Sequence, residues 1–576
     1  MEPNRDDVTR RGFLAATGVA AAALGRAPAF TVTSADAADP APPAGFPAAV
    51  ELYRQAYRNW DGEISVDDVW TCAPTTPQAA LSVVNWAYAN GWQVRACGMR
   101  HGWAPLTIPP GAAGDVVLID TTRYLTSVTI DGGDPASVTA QTGVTMDALF
   151  ASLEAAGYGV TNCPAPGDLS LGGVLAIGGH GSAVPASGET GLAGHTYGSI
   201  SNLIVSLTAV VWDAAGGGYV LRTFERSDAD IQALMIHLGR SFVTEATLRI
   251  GANERLRCQS FTTIGVDTLF APPSTAGAQS FASFVEQAGR VETIWFPFTP
   301  APWLKVWSVA PVKPLPSREV DSAYNYVFAD VVTPQESELV ARIQHGDAAA
   351  GPLLTVLEYT LATAGLVATD TADIWGWSKN TQLYVRPTTM LESANGYNVL
   401  TARADIQRVV SEFYAELKSL IDGYAARGRY PVNGQWEVRV TGLDDPAAVE
   451  VPGALPPQLS ALRSRADHPE WDTAVWFDVL TIPGSPDAQE FYYELEQWML
   501  ANYTGSYATV RPEWSKGWAY SGTAAWSDPH VLGTVIPEAY RAGQPVGDNW
   551  DTALATLLRL DPHRVFDNAL LTELLG

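Results

Sequence analysis

Apolar and polar positions follow two rhythms along this chain, and the balance between them shifts near residue 250. From Pro77 to Asn90, the apolar residues Ala79, Ala80, Val83, Val84 and Ala87 recur at helical spacing, which predicts a helix with one buried face. Gln93 to Ala96, Val116 to Asp120, Val138 to Gln141, Leu203 to Trp212 and Phe242 to Ile250 read as strands, and Met146 to Ala156 as a helix. Beyond about residue 251 the strands lengthen, aromatic residues multiply and glycine clusters thin out. Asp405 to Ala426 puts Val409, Val410, Phe413, Leu417, Leu420 and Ile421 on one helical face. Gln435 to Thr441 alternates as a strand, Gln489 to Asn502 reads as a helix, and helical patterning returns from Val531.

These patterns predict an α+β protein with a leader at 1–37, a first domain at 38–250, a second at 251–530, and a helical segment at 531–576 that rejoins the first. A chain of 576 residues needs more than one core. No G-x-G-x-x-G follows a strand, so a Rossmann dinucleotide site is not expected.

Composition adds three constraints. The net charge of -26 sets the protein against nucleic acid and against electrostatic docking on anionic lipid, so any transient membrane contact is apolar. Cys72, Cys97, Cys163 and Cys258 lack metal-like spacing, and no metal is expected. Thr9-Arg10-Arg11-Gly12-Phe13-Leu14, an apolar run to Leu24 and Ala35-Asp36-Ala37 follow one another as in a twin-arginine signal peptide. The leader therefore predicts a secreted protein folded around its cofactor before export. No stable protein partner is expected.

Four glycine-bearing stretches carry the candidate chemistry. In the first, a strand runs from Val94 into a turn where Gly98 and Gly102 bracket His101. Glycine lets the backbone approach a ligand closely. The second, Pro164 to Ser182, interleaves glycines with apolar Leu171, Val174, Leu175 and Ile177, which suits a buried wall. Gly188 to Val205 is a polar turn feeding a strand, and His237 to Leu248 a turn into a closing strand.

In this order, the four stretches resemble the FAD-binding domain of the vanillyl-alcohol oxidase superfamily across roughly residues 55 to 250. The resemblance implies a two-part FAD-binding domain with the flavin 8α-methyl bonded covalently to His101. It assigns the cofactor cradle to Arg95, Ala96, Cys97, Gly98, Met99, Arg100 and Gly102 from the first stretch. The second would add Pro166, Gly167, Leu171, Gly172, Gly173, Ala176, Gly179, His180 and Gly181, and the last two Gly198, Ser201 and Val243. Cys163 lies where the berberine-bridge relatives carry a second flavin link; a small buried cysteine is the preferred reading.

Glu437 and Arg439 stand two apart on a strand and project from one face. Such a pair is a structural ion pair or, in an apolar cavity, a candidate for proton handling. Val291 to Phe298, Trp303 to Trp307, Tyr324 to Asp330, Trp436 to Arg439 and Pro512 to Trp518 resemble the substrate-binding domain of the covalent-flavin bacterial cholesterol oxidases. That resemblance implies an α+β domain with a large antiparallel sheet, a 3β-hydroxysterol substrate, O2 as acceptor and release of H2O2. Isomerisation of the 5-ene to the 4-en-3-one would follow. It places Glu437, Arg439 and Glu292 in the active site with one glutamate as base, and lets the Glu292–Arg439 contact control oxygen access. It also sets Glu513 and Lys516 near the flavin, and Asp478 where these oxidases can carry an amide. The alternatives are an oxidase of a sugar lactone, polyol or other secondary alcohol on the same scaffold, and an inactive secreted binding protein.

Overall fold

In a computed structural model of the chain, residues 41–110, 114–324 and 326–576 are described; the leader with its twin-arginine motif lies outside them. The first predicted helix has local causes at both ends. The Thr76 side chain accepts from Ala79 N, Pro77 occupies the first turn, and Gly91 closes the helix at φ 73°. This helix, Pro77–Asn90, joins the strands Ser65–Ala73 and Gln93–Cys97, and both run parallel to Val116–Asp120 between them. Glu51–Arg58 adds an antiparallel edge, which completes a four-stranded sheet. A five-stranded antiparallel sheet follows, ordered Val128–Asp131, Ser137–Gln141, Phe242–Arg249, Ile204–Asp213, Gly218–Glu225. These two sheets are the two parts of the first domain.

The second domain is built on a nine-stranded sheet, antiparallel except where Arg318–Glu319 lies parallel to Asp373–Trp377 at one edge. Its middle strands run in the order Trp303–Val309, Arg290–Trp295, Trp436–Gly442, Thr473–Thr481, Ser393–Thr401. Strand alternation decides what each face meets. Trp436, Val438 and Val440 are fully buried, and Phe413 of the helix Ile406–Ala425 stacks on Trp436 and Phe477. Glu437 and Arg439 therefore turn to the opposite face, toward a cavity shared with the first domain.

The C-terminal helices Ile536–Arg541, Trp550–Leu560 and Ala569–Leu575 lead the chain back onto the first domain. Val94 N donates to Val565 O at 2.8 Å, Asn568 Nδ2 to Leu106 O at 3.1 Å, and Arg240 pairs with Asp561 at 2.5 Å.

Candidate active site

Between the two domains lies a cavity of about 430 Å³ whose wall combines the glycine-bearing stretches with the charged face of the large sheet. The first stretch leaves its strand at Cys97 and turns sharply at Arg100, whose φ is 59°. That turn presents His101 to the cavity, with its ring stacked on Trp60 at 3.6 Å and 21°. His101 Nδ1 is buried without a hydrogen-bond partner, and Asp168 Oδ1 stands 3.9 Å away. Burial, then the Lys516 charge, pulls the imidazole down to about 3, so the ring is neutral and one nitrogen keeps its lone pair.

From the first two stretches, Ala96, Gly98, Met99, Arg100 and Gly102 reach the wall beside Pro166, Gly172 and Gly173. Ala176, Gly179, His180 and Gly181 continue it, and Val243 joins from the fourth. A Cβ on Gly98 would fall 2.0 Å from Ser170 Oγ, and one on Gly181 2.4 Å from the Cys163 carbonyl oxygen. The glycines therefore let the two stretches close on each other around the cavity. An orphaned, neutral histidine nitrogen facing a glycine-lined cavity fits a flavin cofactor.

Other expected cradle residues have different work. Arg95 touches the cavity, but its guanidinium is committed to the carbonyls of Thr107, Gly239, Leu106 and Phe566. It fastens the first stretch to the C-terminal segment, and most of its donors are spent there. Cys97, Gly167, Leu171, Gly198 and Ser201 are not on the wall. Cys97 and Leu171 are core. A Cβ on Gly167 would meet Asp147 at 3.1 Å, and one on Gly198 would meet Asp444 at 2.3 Å, so protein rather than ligand crowds these glycines. Ser201 Oγ donates to Leu175 O at 2.9 Å and braces the short helix Leu171–Ile177. Cys163 lines the wall, but its thiol donates to Pro164 O at 3.6 Å, and burial pushes its pKa up, away from the thiolate.

The charged face arises from sheet register. Lys305, Glu292, Arg439 and Trp476 stand directly opposite one another on successive strands, while Ile294, Glu437, Asp478 and Gly396 form the adjacent row two residues along. Residues two apart share a face, so both rows point the same way. Arg439 is the hub: Nε pairs with Glu292 Oε1 at 2.7 Å, Nη1 with Asp478 Oδ2 at 2.6 Å, and Nη2 donates to Glu437. Gly396 leaves the space through which Lys516 crosses the sheet, since a Cβ there would sit 2.4 Å from Lys516 Cγ. Lys516 Nζ thereby comes 3.6 Å from Asp478 and 3.8 Å from the centre of the Trp103 ring. Asp478 lies beneath the wall, while Glu292, Glu437, Arg439, Glu513 and Lys516 are on it.

The environments of the carboxyls push them apart. Burial raises Glu292, but Lys305 and Arg439, with the Tyr384 hydroxyl donating, outweigh it and hold the group below the ordinary range. Asp478 is likewise raised by burial and brought below it by Lys516 and Arg439. Glu437 is raised, by burial first, with Arg439 opposing and Glu292 and Asp478 assisting. Glu513 is pushed up to about 8 by burial and then by Asp478; protonated, it donates to Asp478, whose Oδ1 is otherwise buried without a partner. Two anions, one carboxyl of shifted affinity and one neutral acid around a single guanidinium make up an acid–base set.

Several wall residues escaped the sequence reading. Trp60, Tyr384, Glu392 and Gln435 sit in stretches without a motif, and only tertiary contact brings them in. Glu392 is pushed up to about 8 by burial and by Glu437, and the Gln435 amide donates to it.

Comparison with known proteins agrees with this arrangement. A family model described as "Cholesterol oxidase, substrate-binding" matches residues 255–576, and one described as "FAD binding domain" matches 70–216. A solved structure titled "Solvent-stable cholesterol oxidase" is 54% identical, covers 93% of this chain and 100% of its own, and superposes with a TM-score of 0.92. A histidine-to-alanine mutant of cholesterol oxidase from Brevibacterium sterolicum is 43% identical, over 93% of this chain and 99% of its own, with a TM-score of 0.91. L-gulonolactone oxidase 3 from Arabidopsis thaliana is 26% identical over 213 residues, 36% of this chain. The chain spans only about a third (34%) of that curated relative. A flavin-binding half, a charged cluster on the large sheet and matches over nearly the whole chain converge: the protein belongs to the cholesterol oxidase family and binds FAD.

Proposed function

We propose that this enzyme oxidises the 3β-hydroxyl of a sterol to the ketone, with Glu437 as the proton acceptor and FAD bonded to His101. The observation that carries the reading is the cluster of Glu437, Arg439 and Glu292 on adjacent rows of the sheet, facing a cavity walled by Ile294, Phe296, Trp303, Trp307 and Leu480. Aromatic and aliphatic walls suit a steroid ring system better than a sugar lactone or polyol. When bound, FAD supplies the hydride acceptor and, with O2, the route to H2O2.

The residues of the chain handle the proton. Arg439, itself held by Asp478, keeps Glu437 in place and opposes its neutralisation, and burial keeps its proton affinity high enough to accept from a hydroxyl. The same carboxylate, once the hydroxyl proton has been passed on, can take a proton from C4 of the 5-en-3-one and return it at C6, which moves the double bond into conjugation as the 4-en-3-one. Anaerobic addition of cholesterol is expected to bleach the flavin absorbance, and aerobic turnover to yield a product with conjugated-enone absorbance. Bleaching without the enone band would confine the enzyme to oxidation; no bleaching would remove the sterol.

The sterol reaches the enzyme through apolar contact with its lipid carrier. Among the described residues, one helix, Ala348–Thr369, is long and apolar enough to cross a membrane by length and composition. Its inner positions Ala362 and Leu366 join the aromatic cluster of Phe296, Trp303 and Trp307, so it lies along the molecule. Its outer positions Leu353, Val356, Thr360, Ala364 and Val367 are exposed and uncharged, and the only charged side chain from Gly351 to Thr369, Glu358, is buried. Leu353→Asp with Val367→Asp is expected to slow oxidation of sterol in neutral phospholipid vesicles severalfold and to leave the rate on detergent-dispersed sterol unchanged. Equal rates on both would remove this helix from the contact. The twin-arginine leader supports export of the folded, flavin-loaded enzyme, and Arg10→Lys with Arg11→Lys is expected to retain it inside the cell.

A further inference from the structure

Lys305 has no place in the proton chemistry so far, and its surroundings are unusual. It is completely buried in the middle of the strand Trp303–Val309. Its ammonium is boxed by four rings, lying over Tyr384 and within 5.0 to 5.1 Å of the centres of Trp303, Trp307 and Tyr326. Trp303 and Trp307 flank it at two-residue spacing, so the strand itself builds two sides of the box. Trp303, Trp307, Tyr384 and Glu292 line the cavity, and Lys305 stands behind them, off the wall. Among the described residues, its single anionic neighbour at ion-pair distance is Glu292, opposite it in register, with Nζ 3.4 Å from Oε2. Nζ has no partner in hydrogen-bonding geometry among the described residues.

Glu292 is thus clamped from two sides, by Arg439 on Oε1 and by Lys305 with Tyr384 on Oε2. Among the described residues, Glu437 is hydrogen-bonded by Arg439 alone, on a guanidinium divided among three carboxylates. We propose that Lys305 is a positioning residue that fixes Glu292 as an anion and so leaves Glu437 as the carboxylate that exchanges the substrate proton. The inference rests on the reading of Glu437 given above and explains why two glutamates in adjacent rows of neighbouring strands have different roles. An ammonium buried in an aromatic box keeps its charge only while its counter-ion is present. Burial draws Lys305 down to about 8, against the pull of Glu292, then Cys258 and Glu437. Besides these, the titratable and charged groups facing the pair are Arg439, Tyr326 and Tyr384.

Lys305→Met tests the assignment, because methionine matches the length of the lysine stem and packs against rings. Losing one of two cations leaves burial to raise Glu292. The sign follows: Glu292 holds its proton to higher pH and, once neutral, no longer raises Glu437, so the acid limb of kcat/KM that Glu437 sets moves downward, by about one pH unit. In the resting holoenzyme, infrared difference spectra on titration are expected to show a protonated-carboxyl band absent from wild type and from Lys305→Met/Glu292→Gln. The limb of that double variant is expected to coincide with that of Glu292→Gln alone. An unmoved limb and no new band in Lys305→Met would overturn the proposal, as would a further shift in the Glu292→Gln background. Should Lys305→Met fail to fold, Glu292→Gln carries the test from the other side. The unpaired ammonium then loses its proton at lower pH, so the alkaline inflection of near-ultraviolet absorbance from the surrounding rings moves down; an unmoved inflection overturns the proposal. The infrared band is read without substrate, so it reports on Lys305 even if Glu437→Gln shows the proton acceptor to lie elsewhere.

Discussion

Glu437→Gln is expected to slow anaerobic reduction of the holoenzyme by sterol by roughly 10²- to 10⁴-fold, the range for removing a positioned general base. Glutamine keeps the shape of the side chain and can still accept from Arg439, so the variant should fold, hold its flavin and bind sterol. What it cannot do is take the hydroxyl proton. The neighbouring carboxyls do not replace it: Glu292 and Asp478 lie below the ordinary range, held there by Lys305, Lys516 and Arg439, and Glu513 is protonated at neutral pH. The pH dependence has a definite sign. Burial raises Glu437 above the ordinary glutamate value while Arg439 opposes it, and a base works only when unprotonated. The rate of reduction therefore rises with pH through a midpoint above that of a solvated glutamate, and Glu437→Gln removes this limb. Single-turnover flavin bleaching across pH measures both effects. A glutamine variant as fast as wild type would move the base away from this strand.

Part of this site was legible in the sequence because strand alternation is a local property. Trp436, Val438 and Val440 against Glu437 and Arg439 could be sorted into two faces from residue type alone, and the sheet has them so. Which residues stand opposite was not legible. Glu292 and Lys305 meet Arg439 only because two other strands lie beside Trp436–Gly442 in that order and register, and nothing near residue 437 encodes it. The glycines teach a related lesson. A glycine crowded by protein, as at Gly167 and Gly198, looks in sequence like one beside a cofactor, because the requirement for a missing side chain is the same. The helix Gly351–Thr369 went unread because it is apolar on its outer as well as its inner face, which erases the periodicity that marks an amphipathic helix. The aromatic box of Lys305 shows the limit best. Two of its four walls are sequence neighbours, while Tyr326 and Tyr384 arrive from loops whose placement depends on the finished fold.

His101→Ala is expected to abolish acid-stable flavin completely: denatured variant protein should leave its flavin in the supernatant, while the wild-type precipitate stays yellow. Three features suit this ring to the attachment proposed above. It is neutral across the working range because burial and Lys516 disfavour its proton, so a nitrogen lone pair is available. Its orientation is fixed by stacking on Trp60. Its Nδ1 has no hydrogen-bond partner among the described residues, although buried polar atoms ordinarily have one, which leaves it available for another bond. The cysteine that could substitute is poorly prepared, since burial holds the Cys163 thiol protonated and the thiolate is the reactive form. Cys163→Ser should therefore leave the precipitate as yellow as wild type. The glycine-lined arms do not depend on His101, so His101→Ala should still fold and bind FAD reversibly, with cofactor lost on dilution and a lower Tm than the wild-type holoenzyme. A yellow acid precipitate from His101→Ala would show another anchor; if adding Cys163→Ser then removed the colour, that anchor would be the thiol, and the inertness assigned to it here would be wrong.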